Sequence, residues 1–166
     1  CDTRPEPPVR IAHSPTRKDL KNTDLFVQVC EELRQEGLPL EVAMIDQSAH
    51  RQCLEIKRRC HVLFDHLQGY FGVSSLEALS QGLCVVAGLD AWNQECVREF
   101  AGLTEEEPLP WFLSSAEALK DDLRTLVQDR ALRQEMGAYA RRFMTERWND
   151  ARIAGELAAF YEGLDG

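Results

Sequence analysis

No stretch of the chain approaches the roughly 18 consecutive apolar residues of a membrane-spanning helix. Positive charge is not in excess either. Lys and Arg total 19 against 28 Asp and Glu, a formal net charge of -9, so no general field is present to hold nucleic acid or an anionic membrane. There is no Walker loop, no G-x-G-x-x-G fingerprint, no Ser–His–Asp constellation, no internal repeat and no low-complexity segment. No leader or transit segment stands out. The six cysteines (Cys1, Cys30, Cys53, Cys60, Cys84, Cys96) include no pair at the two-residue spacing of a zinc knuckle or redox motif. Cys53 and Cys60, with His50 and His61 nearby, make the one metal-like grouping. They straddle a predicted helix–strand boundary without a familiar ligand spacing. No metal is expected, and reduced thiols point to a cytoplasmic protein.

What is present is an ordinary globular composition, 44% hydrophobic and 28% charged over 166 residues, enough for one domain with a substantial core. Residues 1–8 (Cys1-Asp-Thr-Arg-Pro-Glu-Pro-Pro8) read as a proline-rich linker from an upstream domain, and 9–166 as the domain itself. Val9–His13 reads as a first strand. Leu25, Val29 and Leu33 recur at helical spacing within Asp24–Glu36, and Gly37 stops that helix. Leu40–Ile45 is a second strand, Gln47–Arg59 a polar helix, His61–Phe64 a third strand and Ser74–Gln81 a short helix closed by Gly82. Leu83–Ala87, apolar throughout as parallel strands tend to be, is the fourth strand. Asp90–Phe100 is helical, Trp111–Leu113 a short strand, and Ser115–Val127, Arg130–Trp148 and Asn149–Leu164 are helices. This alternation predicts a Rossmann-like, three-layer α/β domain with a mostly parallel sheet and long C-terminal helices.

Ligands in such folds sit beyond the C-terminal ends of the strands. His13, Asp46, Asp65 and the loop Gly69–Val73 all fall there. Arg17, Lys18 and Lys21 lie between the first strand and its helix, where cations can meet a diphosphate together with a helix N-terminus. Gly72 permits close backbone approach, and the amides from Val73 onward, with Ser74 and Ser75 as capping hydroxyls, form a second helix N-terminus suited to phosphate. Glu77 lies one turn in. A carboxylate there cannot hold phosphate but can accept hydrogen bonds from sugar hydroxyls. Asp65-His66 is a candidate acid–base pair. The plain alternatives are a solvated basic loop and an ordinary strand–turn–helix.

In order along the chain, these segments resemble the C-terminal, donor-binding half of a GT-B glycosyltransferase, of the kind grouped as glycosyltransferase family 4 or group 1. His13-Ser-Pro-Thr-Arg-Lys-Asp-Leu-Lys-Asn-Thr23 is similar to that family's strand-end loop. Tyr70-Phe-Gly-Val-Ser-Ser-Leu-Glu-Ala-Leu-Ser-Gln-Gly-Leu-Cys-Val-Val-Ala87 is similar to its glycine-loop, Leu-Glu-Ala and strand signature. Ala131–Gly137, Arg142-Phe143 and Trp148 fit its tail. The resemblance implies that Arg17 or Lys18, with Lys21, contacts the diphosphate of a UDP or GDP type sugar donor. It implies that Glu77 accepts from the ribose and that amides around Gly72, Val73, Ser74 and Ser75 meet phosphate or sugar. His13 and His66 are further candidates. Such enzymes are usually retaining and need no metal or other cofactor at the diphosphate. The acceptor would then bind an N-terminal domain of the same chain, leaving this part alone inactive, and a longer protein could still sit at a membrane surface.

Three positions depart from the pattern. Gly69 stands where the family often has a second Glu, and Asn22 where it has Gly. Asp46 replaces a glycine after the second strand. Gly69 and Asp46 favour a different class, a degenerate, non-catalytic Rossmann-like module for binding or regulation. A nucleotide-sugar epimerase of GT-B architecture is the third reading.

Overall fold

The computed structural model describes residues 7–15 and 21–164. Among the described residues, five strands and seven helices follow in the order β1 (Val9–His13), α1 (Thr23–Gln35), β2 (Leu40–Met44), α2 (His50–Lys57), β3 (Val62–Phe64), α3 (Val73–Gln81), β4 (Cys84–Ala87), α4 (Ala91–Ala101), β5 (Trp111–Leu113), α5 (Leu119–Gln128), α6 (Arg130–Glu146) and α7 (Asp150–Leu164). The strands form one sheet in the order β2-β1-β3-β4-β5, and every pairing is parallel. The expected Rossmann-like domain is therefore what the chain forms. Strand order reverses between β1 and β3, so the loops that follow these two strands diverge and leave a crevice over their C-terminal ends.

Side-chain alternation builds a core on each face of the sheet. Val62, Phe64, Cys84 and Val86 join Ile11 and pack under α1 and α5. Leu63, Val85 and Ala87 face the other way, onto α3 and α4. Two helices start three or more residues later than their patterns predict. Gln47 takes a positive φ of 49°, which breaks helical geometry, so α2 starts only at His50. Ser115 caps a turn instead of opening α5, accepting the Ala118 N–H at 3.3 Å, and the regular helix begins at Leu119.

Two devices fix the last third. A Cβ at Gly137 would fall 2.2 Å from the Gly82 carbonyl oxygen, so only glycine lets α6 close on the α3–β4 turn. Phe71 then packs against Trp111 and Trp148, with ring centroids 4.8 and 6.0 Å away. That contact anchors the β3–α3 loop to the junction of α6 and α7.

Candidate functional site

The crevice is built from the loop before α1 and the loop between β3 and α3. Arg17 and Lys18 lie outside the described residues. Asn22 takes the left-handed conformation (φ 52°, ψ 32°), which a short amide side chain tolerates. Its Oδ1 accepts the Leu67 N–H at 2.9 Å, clamping the two loops together.

At the centre is Asp65, the residue after β3, whose side chain is 1% exposed. Lys21 makes an ion pair with its Oδ1. Its Oδ2 accepts from the Gly72 N–H at 2.9 Å and from the Ser75 hydroxyl at 2.7 Å. Burial alone would raise the Asp65 carboxyl, but the Lys21 charge and these hydrogen bonds outweigh it and hold it below the usual carboxylate range. Ser75 thus donates to Asp65 and does not cap α3. The N-cap is Gly72, whose side of the helix end carries the positive pole of the backbone dipoles. A Cβ on Gly72 would sit 3.1 Å from Lys21 Nζ and 3.4 Å from Asp65 Oδ2, so the bare glycine lets the cluster close.

His66 is fully buried, 4.4 Å from the Tyr70 ring. Its Nδ1 faces the Gln68 N–H at 3.3 Å, and its Nε2 has no hydrogen-bond partner among the described residues. Nε2 lies 3.9 Å from Asp65 Oδ2. The side chains of Asp65 and His66 are therefore neighbours without a direct hydrogen bond. Burial holds the His66 ring below its ordinary pKa, so it is neutral near pH 7.

His13 plays a different part. Its Nδ1 pairs with the Phe64 carbonyl at 3.0 Å and its Nε2 with the Thr23 hydroxyl at 2.9 Å. It is fully buried, and burial lowers its pKa to about 4. Both ring nitrogens are used in tying β1 to β3 and to the start of α1.

Glu77 lies one turn along α3, on the side that faces α2. Lys57 Nζ, completely buried, donates to Glu77 Oε2 at 2.6 Å, and His50 Nε2 lies 2.7 Å from Oε1. The same ammonium reaches the Ser74 carbonyl at 3.4 Å. Burial raises the Glu77 carboxyl, but the hydrogen bonds from Lys57 and His50 outweigh it and hold it ionised. The side chain stays 19% exposed. A carboxylate has about four lone-pair directions, so Glu77 keeps acceptor capacity toward solvent. Val73 is exposed beside it.

Asp65 as the hub of the site, and Lys57 and His50 as the partners of Glu77, are not evident from the local sequence. Asp65 did stand at a strand end, which was the available signal. Beside the crevice, Ser14, Ile45, Asp46 and Cys53 line a cleft of about 260 Å³ at the ends of β1 and β2. A cavity of about 430 Å³ opens at the opposite edge of the sheet, among Val9, His61, Gly82 and Arg133. It lies at the N-terminal ends of the strands, by the start of α6 and away from the N-termini of α1 and α3. Among the described residues no group of three or more His, Cys, Asp or Glu gathers as a metal site, and no helix is long and apolar enough to cross a membrane.

No protein-family model and no curated protein sequence matches the chain. Solved structures do. The fold is that of the C-terminal domain of GT-B glycosyltransferases. TarM from S. aureus, crystallised as a variant with UDP, fondaparinux and alpha-GlcNAc-glycerol, superposes with a TM-score of 0.68 at 15% identity, over 94% of this chain and 36% of that one. The pneumococcal O-GlcNAc transferase GtfA, in complex with UDP and GlcNAc, gives 0.67 at 14% identity over 96% of this chain and 36% of its own. The C-terminal domain of the group 1 glycosyl transferase LpcC from Francisella tularensis gives 0.60 at 17% identity, covering 87% of this chain and 88% of that domain. The chain thus spans about a third of TarM and of GtfA.

Proposed function

We propose that this chain is the donor-side half of a nucleotide-sugar-dependent glycosyltransferase, with the nucleotide diphosphate seated over the C-terminal ends of β1 and β3. The observation that carries the reading is the convergence of Lys21 Nζ, the Gly72 N–H and the Ser75 hydroxyl at the N-terminus of α3, beside the strand-order switch. That is a donor set for an anion. Glu77, ionised and partly exposed, stands a turn further in as an acceptor for a sugar diol.

In this reading Lys21, with Arg17 or Lys18, stabilises the leaving diphosphate as negative charge develops, and Val73, Ser74 and Ser75 line its approach. Positive side chains and the α3 N-terminus take the part that a metal plays elsewhere, and transfer proceeds with retention. The acceptor belongs to an upstream domain, so this chain binds donor and transfers nothing by itself. A cytoplasmic location fits the five cysteines among the described residues, which are buried or half-buried and free.

The experiment is a titration with UDP, GDP and ADP, followed through backbone amide shifts and repeated with Glu77→Ala. The expected result is a cluster of shifts at Lys21–Asn22 and Gly72–Glu77 for one of the three, weakened in the variant. No response to any of them at millimolar ligand would remove the reading and favour the non-catalytic module.

A further inference from the structure

We infer that Asp65 is an internal occupant of the phosphate seat: its carboxylate holds the place at the N-terminus of α3 that a donor phosphate would take, and ligand binding requires its displacement. The inference rests on the nucleotide reading above.

Four donors face this one place. Lys21, the Gly72 N–H and the Ser75 hydroxyl all end on the Asp65 carboxylate. The fourth is the His66 ring. Because Nδ1 faces a backbone N–H, it is the acceptor nitrogen and Nε2 carries the hydrogen. That Nε2–H is buried, lacks a partner among the described residues and stops 3.9 Å from Asp65 Oδ2, too far for a hydrogen bond. A buried donor left unpaired costs free energy, and buried polar groups in folded chains rarely stay so. A planar carboxylate tethered at the end of β3 satisfies three donors and leaves the fourth short. A phosphate group is larger, tetrahedral and carries more acceptor oxygens, so it can meet all four.

The same geometry sets the cost of entry. Lys21 is already neutralised by Asp65, and a phosphate brought beside a resident carboxylate meets a like charge at close range. Asp65 therefore weakens diphosphate binding by charge while preserving the shape of the seat.

The test uses the chain itself, with inorganic pyrophosphate and UDP as separate probes, followed at the Gly72 and Ser75 amides. Asp65→Asn keeps the size of the side chain but removes its charge and puts an NH2 donor in place of one acceptor oxygen. It is expected to bind pyrophosphate about tenfold more tightly or better, and Lys21→Met placed in the Asp65→Asn chain is expected to abolish that gain. Asp65→Ser, smaller and uncharged, serves as the second variant with the same expected direction. Pyrophosphate affinity that is unchanged or weaker in both variants overturns the inference. UDP separates it from the nucleotide reading. A gain for pyrophosphate, with UDP bound no better than pyrophosphate, upholds the internal occupant and removes the nucleotide. UDP bound more tightly than pyrophosphate by the wild-type chain, and unimproved by either substitution, keeps the nucleotide and overturns the occupant.

Discussion

Two lysine–carboxylate pairs flank the first turns of α3, and they are built differently. Lys21–Asp65 closes the N-terminal end of the helix, with the carboxylate 1% exposed and engaged by three donors. Lys57–Glu77 lies on the face toward α2 and inverts the burial: the lysine is the hidden member, and the carboxylate reaches solvent at 19%. A hidden carboxylate surrounded by donors is a structural anion, and its removal is felt mainly by what it neutralised. A carboxylate held in place by a hidden lysine is positioned, charged and still able to accept. The phosphate end of the proposed site is thus closed from within, while the sugar end is presented outward.

The sharpest way to break this contrast is to remove each lysine. Lys21→Met leaves Asp65 buried without a counter-charge, and the expected loss is about 4 kcal/mol of unfolding free energy, read from urea midpoints at pH 7. Lys57→Met strands Glu77 less, because solvent and His50 still reach it. A loss of about 1–2 kcal/mol is expected there, and equal losses in the two variants would erase the distinction.

Acid sharpens it between these two in size. The folded-state pKa of His13 is lowered to about 4, so the unfolded chain takes up that proton first as pH falls below its ordinary value. Stability is full above about pH 6.5 and declines toward pH 4, by about 3 kcal/mol from this residue. His66, also held low by burial, adds to the same decline. Asp65 and Glu77 are held below their ordinary values, so their contribution is intact above about pH 4 and is lost only below it. Urea midpoints at pH 7, 5.5 and 4 check this, and His13→Gln should flatten most of the upper window. The smallest expected effect is His50→Gln. His50 is 72% exposed, and its pair with Glu77 contributes about 0.5 kcal/mol or less in 0.15 M salt.

Much of the architecture was legible in the sequence because it rests on local rules. Apolar runs ended by Gly37 and Gly82 mark the βα alternation, and both glycines take positive φ, 88° and 77°. Asp90 caps α4 by accepting the Asn93 N–H at 2.7 Å, as its type suggests. The site was legible only as an address. Lys21 meets Asp65 across 44 residues and Lys57 meets Glu77 across 20, and no periodicity reports which distant partner a charge will find. His13 attracted attention because it ends a strand. It lies in period with Val9 and Ile11, whose side chains form the core under α1, and that alternation already placed its ring inside.

The most direct test of the central claim is the map of backbone amides that move when UDP is added to the Asp65→Asn chain. The account predicts a saturable cluster on the C-terminal edge, at Lys21–Asn22 and from Leu67 to Glu77, with no movement at Val9, His61 or Gly82 on the opposite edge. Shifts confined to that opposite edge, or none at any ligand concentration, would contradict it.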